Sequence, residues 1–230
     1  NPVGSVGYAF QMGKYEISRS MILNANALGS LGITLGDMTS FGGNGSDRPA
    51  IGVSWFGAAR FVNWLNTSQG YQAAYNFDSI GNFQLWTSTE AWQLDGENLF
   101  RHKNSHYWLP SLDELYKSAF FDPVSGLYYD YATGSNTVPT GVSSGTLAGT
   151  AVVGQLTSLG PADITQAGGL SPFGTMGQGG NVMEWEETEI DLLNNGPSSP
   201  RGVRVGVWNS VAAQTSSSFR SVAGPTGEIL

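Results

Sequence analysis

Three segments of the chain carry the hydrophobic pattern of a capped helix. The first begins at Ser18, a candidate N-cap, and runs to about Leu28, before Gly29, a candidate stop. A second helix begins after Ser54 and reaches about residue 65. Apolar or small residues occupy nearly all of its faces, which predicts burial on most sides. A third begins at Ser111, where Ser111 and Glu114 match a capping box. The apolar stripe of the first helix consists of Ile22, Leu23, Ala25, Ala27 and Leu28.

The strand signals are short. Residues 8–17 (YAFQMGKYEI) alternate in part and are rich in aromatics, which predicts one or two strands, and residues 107–109 predict another. Residues 201–208 and 217–222 flank a turn-prone segment and predict a closing hairpin. After Phe121, some 60 residues dominated by Gly, Ser, Thr and Pro predict long surface loops. These patterns together predict a loop-rich α+β fold.

Composition narrows the class of protein. A length of 230 residues suits one domain spanning positions 1–230, and the 32 glycines agree with many turns. The net charge of −8 and the lack of a basic cluster argue against a nucleic-acid partner. No apolar run approaches the roughly 18 residues of a membrane span. The absence of cysteine excludes disulfides, thiolate metal sites and thiol nucleophiles.

Five sequence blocks resemble, in the same order, the formylglycine-generating-enzyme (sulfatase-modifying factor) superfamily. They are FQMGKYEIS, RPAIGVSWFGAARFVNWLN, YWLPSLDELYKSAFF, SPFGTMGQGGNVMEWEE and RGVRVGVWNSVAAQTSSSFRS. The resemblance implies a C-type-lectin-like fold and is closest to secreted bacterial members. Enzymes of the family oxidise a substrate cysteine with a copper-bound cysteine pair near the C-terminus, and the matching residues 207–224 contain no cysteine.

The resemblance therefore predicts a non-catalytic protein outside the cell or on its surface, from which a signal peptide has been removed. It would act by self-assembly, as a surface, matrix or filament subunit, or by binding an extracellular protein or carbohydrate. Because the sequence stops before the strand that usually completes the family's core sheet, we expect that strand in further sequence or from another chain.

The resemblance also predicts a structural calcium ion at the Gly-rich block. By position, its ligands would be the carbonyls of Gly177, Gly180 and Val182 and the carboxylate of Glu184. Calcium prefers six to eight oxygen ligands, and a Gly-rich turn lets several carbonyls converge. The alternative is that Glu184 only accepts backbone N–H bonds within the turn.

An alternative function is a metal-dependent oxidoreductase of the same superfamily with a centre that lacks cysteine. Its ligands would be His102, His106 and a carboxylate such as Glu97 or Asp95, although two histidines in a loop more often bind no metal. The acidic run over residues 184–191 is more typical of a solvated face than of a cation site.

Two tryptophans and one asparagine are candidate ligand-binding residues. Trp86 and Trp92 lie outside the five blocks, so they either stack on a sugar or partner surface or pack a small core of their own. Asn209 belongs to a small, polar segment near the C-terminal strand that suits a recognition surface or a plain loop. The other tryptophans, Trp55, Trp64, Trp108, Trp185 and Trp208, are predicted core anchors.

Overall fold

Irregular chain dominates the fold. The computed structural model describes residues 3–204 and 206–230. In them the helices are α1 (Arg19–Gly29), α2 (Trp55–Thr67) and α3 (Leu112–Phe120), with 3₁₀ turns at Thr157–Leu159 and Ala212–Thr215. The strands are β1 (Val53–Ser54), β2 (Asn76–Phe77), β3 (Phe83–Gln84), β4 (Ala91–Trp92), β5 (Asn98–His102), β6 (Phe121–Asp122), β7 (Leu127–Tyr128), β8 (Thr140–Gly141), β9 (Thr150–Ala151), β10 (Glu184–Glu189), β11 (Arg201–Arg204), β12 (Arg220–Ala223) and β13 (Glu228–Ile229). The α+β, loop-rich prediction is confirmed.

Each helix begins after the serine that the sequence predicted. Ser18, Ser54 and Ser111 accept a hydrogen bond from a backbone N–H of the first turn, which satisfies one of the donors left unpaired there. The capping box between Ser111 and Glu114 is formed, and α1 ends at the predicted Gly29. None of the helices within the described residues is long and apolar enough to traverse a bilayer.

The predicted apolar stripe of α1 is only partly buried. Ile22 and Ala25 lie in the core, whereas the side chains of Leu23 and Leu28 are 55% and 77% exposed. The prediction for these two leucines was wrong because α1 packs through one side, against α2 and its neighbours. Apolar side chains thus remain on the surface at the end of α1.

The largest sheet has three antiparallel strands in the order β10-β11-β12. The predicted closing hairpin is confirmed, since Arg201 pairs with Ala223 and Arg204 with Arg220. The β10–β11 register shifts between Trp185 and Glu189, as at a β-bulge. The other strands form two-stranded pairs, of which β8–β9 is parallel and β13 pairs with β1.

Residues 8–17 form no strand, so that prediction was wrong. Their backbone bonds go to separate segments: the carbonyl of Lys14 accepts from the Met176 N–H, and that of Ile17 accepts from the Ala50 N–H. A strand needs a ladder with one neighbour, which these isolated bonds do not provide.

Residues 107–109 form no strand either, because side chains take the place of a neighbouring strand. The Asn66 Oδ1 accepts hydrogen bonds from the N–H groups of His106 and Tyr107 at 3.0 and 2.9 Å. The Leu109 N–H donates to the Tyr75 hydroxyl at 2.8 Å. The backbone here is satisfied without a sheet.

Three main clusters of buried apolar side chains hold the elements together. The first surrounds Trp55 of α2 and includes Trp185 of β10, the second surrounds Trp208, and the third joins α1 to α2 through Ile22 and Phe61. Trp55, Trp185 and Trp208 are buried core anchors as predicted, whereas Trp64 and Trp108 are only half-buried. Strand β10 therefore runs through the middle of the molecule.

Candidate functional site

The centre of the acidic run is buried, which contradicts its prediction as a solvated face, although Asp191 at its end is exposed. Glu186, Glu187 and Glu189 of β10 are each at most 1% exposed. An ionised carboxylate removed from water is stable only with hydrogen bonds and opposite charges around it. The location of those partners determines what this region of the chain can do.

Arg101 of β5 joins two of the buried carboxylates. Its Nη2 lies 2.7 Å from Glu187 Oε2 and 3.0 Å from Glu114 Oε2, and the side chains of all three residues are at most 1% exposed. Its Nε and Nη1 also donate, to Glu187 and Glu114 respectively. Burial alone would raise the pKa of Glu114, but the charge and hydrogen bonds of Arg101 outweigh it and lower that pKa.

Neutral side chains complete the hydrogen bonding of this cluster. The Tyr75 hydroxyl donates to Glu187 Oε1 at 2.8 Å, and Asn98 Nδ2 donates to Glu187 Oε2. The Trp108 indole N–H donates to Glu114 at 2.9 Å. Burial and the charge of Glu187 raise the pKa of Tyr75 well above its ordinary value, so the phenol stays protonated as a donor.

Glu186 and Glu189 have hydrogen-bond and ion-pair partners of their own. Glu186 lies 3.1 Å from Arg204 Nε and 2.8 Å from Arg220 Nη2. Glu189 accepts the N–H groups of Asn195 and Gly196. The three buried carboxylates are thus engaged within the fold, which is the arrangement of a structural network.

Arg201 sits in an aromatic cage rather than against a carboxylate. Its guanidinium carbon lies 4.1 Å from the ring centroid of Phe100 and 4.6 Å from that of Trp55. Its nitrogens donate to the carbonyls of Gly196, Pro197 and Ser199. Burial lowers its pKa to about 10, which leaves it charged at neutral pH.

The predicted calcium ligands lie on a turn that leads into β10. Gly177 and Gly180 have φ angles of +87° and +138°, which suit glycine. Among the described residues, no backbone or side-chain donor bonds to the carbonyls of Gly177, Gly180 or Val182. Glu184, the first residue of β10, is half-buried, and desolvation raises its pKa to about 8.

Glu16 is the residue of this site that the sequence reading missed. A side chain at Gly177 would come within 2.7 Å of its carboxyl carbon, and its Oε2 accepts from Asn181 at 2.7 Å. Its Oε1 is buried and has no hydrogen-bond partner among the described residues. Burial and the nearby Glu184 raise the pKa of Glu16 well above its ordinary value. The signal was present, since Glu16 is the only carboxylate in the block FQMGKYEIS.

The oxygens around this turn are of the kind that calcium binds. The set combines the carboxylates of Glu16 and Glu184 with carbonyls that no described donor engages. Two desolvated carboxylates near each other favour a cation or a proton between them, and hard cations take such ligands. Calcium binding remains a prediction.

Trp86 and Trp92 are half-buried and belong to different clusters. The Trp86 indole N–H donates to the carbonyl of Ala74, and its ring packs edge-on against His102. Trp92 packs against Tyr8 and Trp108 at centroid distances of 5.2 and 5.4 Å. This geometry agrees with the packing alternative, and a role in ligand binding stays a prediction.

Asn209 is exposed, and its side chain donates to the Thr157 hydroxyl at 3.1 Å. This bond places Asn209 at the 3₁₀ turn Thr157–Leu159. Within the described residues, Asn209 makes no contact with Trp86 or Trp92. The predicted recognition role of Asn209 also stays a prediction.

The alternative histidine centre is not assembled. His102 is buried and its Nδ1 accepts the Asn104 N–H, whereas His106 is exposed and stacks on Tyr71 at 4.4 Å. Asp95 accepts the Gly7 N–H. Across residues 3–204 and 206–230, no three His, Asp or Glu side chains lie in a metal-binding group.

Comparisons with known proteins give the family. The model of the sulfatase-modifying factor enzyme 1-like domain matches residues 7–228. A solved Treponema denticola variable protein 1 superposes with a TM-score of 0.60 at 16% identity, over 93% of this chain and 78% of that chain. CarF superposes with a TM-score of 0.61 at 17% identity, over 98% and 91%.

A third solved structure has a lower TM-score. PvdO from Pseudomonas aeruginosa aligns over 94% of this chain and 75% of that chain, at 14% identity and a TM-score of 0.45. No curated protein sequence matches. Because the family model covers nearly all of the chain, this protein belongs to the sulfatase-modifying factor enzyme 1-like family, and it does so without a single cysteine.

Proposed function

We propose that the chain is a non-catalytic secreted or cell-surface member of its family that acts by binding, either to a ligand or to copies of itself. The observation that carries the proposal is that the chain has no free reactive group of the kind the family's chemistry needs. The family's thiol chemistry has no cysteine to use. The strongly buried ions, Arg101, Glu114 and Glu187 foremost, bind one another inside the core.

The location outside the cell rests on the resemblance to secreted members and on composition. Only 12% of residues are charged and 32 are glycine, which suits a loop-rich surface protein. A calcium ion at Gly177, Gly180, Val182, Glu184 and Glu16 belongs to the same proposal, because calcium is plentiful outside cells and would order the turn before β10.

Self-assembly is supported by the edge of strand β12. Strand β12 pairs with β11 along one edge, and no described strand pairs with its other edge. Val222 on this strand is 46% exposed. A free edge accepts a strand from another chain through main-chain hydrogen bonds.

The test is size-exclusion chromatography with light scattering in calcium and in chelator. A calcium-dependent oligomer of the wild-type chain that Glu184→Gln abolishes, and that the exposed Glu97→Gln preserves, supports assembly with calcium. A monomer in both buffers rejects self-assembly and leaves ligand binding as the mode of action. Oxidation of a cysteine-containing peptide by the purified chain, followed by mass spectrometry with copper present, would overturn the non-catalytic proposal.

A further inference from the structure

An open groove lies where the end of α1 meets the outer face of α2 and the β2–β3 hairpin. It encloses about 590 Å³, which is within the range of small-molecule sites. Its principal lining residues are Leu28, Gly29, Leu31, Arg60, Trp64 and Phe77, and we call it the Arg60 groove. None of the calcium-binding candidates and none of the buried ionic residues lines it.

The walls of the Arg60 groove are partly uncovered, and they combine an apolar part with the polar residues Asn63, Thr67 and Ser68 of α2 and its C-cap. Leu28 is 77% exposed, and Leu31, Trp64 and Phe77 are half-buried. Helical spacing places Arg60 and Trp64 on the same face of α2, opposite the buried Ala59 and Val62. The groove thus offers a hydrophobic surface to an apolar body, with a cation beside it.

Arg60 forms no ion pair with a carboxylate in the described part of the chain. No Asp or Glu oxygen of the described residues lies within ion-pair distance of it, and its one hydrogen bond goes to the carbonyl of Gly81 at 3.4 Å. Its guanidinium stacks over Phe77 at 5.4 Å. The groove lining contains no acidic residue in a chain that has 18 of them. Arg60 is therefore the one charged residue of the described groove lining, on a protein whose net charge is −8.

Trp64 supplies a second donor. Each of the other six tryptophans donates its indole N–H to a protein acceptor: Trp55, Trp86, Trp92, Trp108, Trp185 and Trp208. Trp64 has no acceptor among the described residues. Its Nε1 lies at the groove wall, 3.0 Å from where a side-chain carbon on Gly29 would stand. A guanidinium with one long hydrogen bond and an indole N–H with no described acceptor thus border the same groove.

We propose that the Arg60 groove binds a small organic carboxylate with an apolar body. The planar guanidinium fork matches a carboxylate, and the indole N–H adds a second bond to it. The aliphatic or aromatic body would cover Leu28, Leu31 and Phe77. A phosphate dianion needs more than one cation to offset its charge, so the single Arg60 favours a monoanion.

The proposal deepens the ligand-binding role but does not depend on calcium or assembly. Titration of the monomeric fraction with octanoate, octanamide and acetate tests it, read by isothermal calorimetry and by the indole N–H resonances in ¹H–¹⁵N NMR spectra. We expect octanoate to bind at least about tenfold more tightly than either octanamide or acetate, and to shift one indole resonance, the one that Trp64→Phe removes.

Variants separate the two donors from general effects of charge. Arg60→Gln should weaken octanoate binding at least about tenfold, Arg60→Lys less, and Trp64→Phe several-fold. Lys14→Gln, which removes one exposed positive charge elsewhere, should leave binding unchanged. Equal binding of octanoate and octanamide by the wild-type chain would overturn the proposal, as would absence of octanoate binding at about 10 mM. Either result leaves the assembly experiment and its interpretation untouched.

Discussion

Arg101→Met removes the positive charge from the most buried ionic cluster and leaves Glu114 and Glu187 facing each other without it. Removing one partner of a buried ion pair costs about 3–5 kcal/mol, because an uncompensated charge remains in the core. Arg101 neutralises two carboxylates at 2.7 and 3.0 Å, so we expect the upper part of that range. For a domain of this size, a loss of about 4–5 kcal/mol lowers the thermal midpoint by about 8–20 °C.

The loss of stability in Arg101→Met should depend on pH. In the wild-type chain the pKa of Glu114 is lowered from 4.5, so its contribution to stability is present at neutral pH and is lost only as pH falls through that lowered value. Without Arg101, burial raises the pKa of Glu114, so stability is greatest below about pH 4.5 and is lost as pH rises through the raised value. The variant should therefore recover stability relative to wild type between pH 7 and 4.5.

The assay is urea unfolding followed by circular dichroism at several pH values. Arg19→Met is the matched control, because Arg19 is a buried arginine whose hydrogen bond goes to the carbonyl of Gly36 at 2.8 Å and not to a carboxylate. We expect a smaller loss for this control, about 1–3 kcal/mol, that does not change with pH. A difference below about 1 kcal/mol for Arg101→Met, or one constant from pH 7 to 4.5, would refute the reasoning.

Three further predictions address the site. Tyr75→Phe removes the hydroxyl that donates to Glu187 and accepts from the backbone of Leu109, so the free energy of unfolding should fall by about 1–3 kcal/mol in a urea titration. Calcium at about 100 times its Kd should raise the thermal midpoint of the wild-type chain by about 5–10 °C in scanning fluorimetry; Glu184→Gln should lose this shift and Glu97→Gln keep it. Gly177→Ala combines a positive φ of 87° with a contact 2.7 Å from Glu16, and it should destabilise the chain by about 1–3 kcal/mol more than Gly43→Ala, where φ is 93° and no atom lies within 4 Å.

The parts of the fold that the sequence predicted well are those set by local interactions. Ser18, Ser54 and Ser111 cap their helices through bonds within three residues, so each cap is visible in a short window of sequence. The strand predicted at residues 107–109, which does not form, is the opposite case. Its backbone is held by the side chains of Asn66 and Tyr75, some 30 to 40 residues away, and no local pattern reports such a partner.

The turn with the predicted calcium ligands was half predictable for the same reason. Gly177 and Gly180 are recognisable as turn positions because only glycine adopts their φ angles easily. Glu16 comes to Gly177 from 161 positions earlier in the chain, through an irregular segment that the sequence read as a strand. A candidate oxygen ligand therefore went unnoticed, although its block had been identified.

The acidic run of β10 shows why burial of charge cannot be inferred from composition. Glu186 and Glu187 are adjacent, so in a regular strand they point to opposite faces, and each face here holds its own arginines. Arg101 meets Glu187, while Arg204 and Arg220 meet Glu186. The hydrogen-bond ladder between β10 and β11 shifts register at the bulge and so constrains this alignment weakly. A slip of one residue would exchange the two glutamates between faces and break both sets of ion pairs at once, so the buried charges fix the register of the strand more firmly than its ladder does.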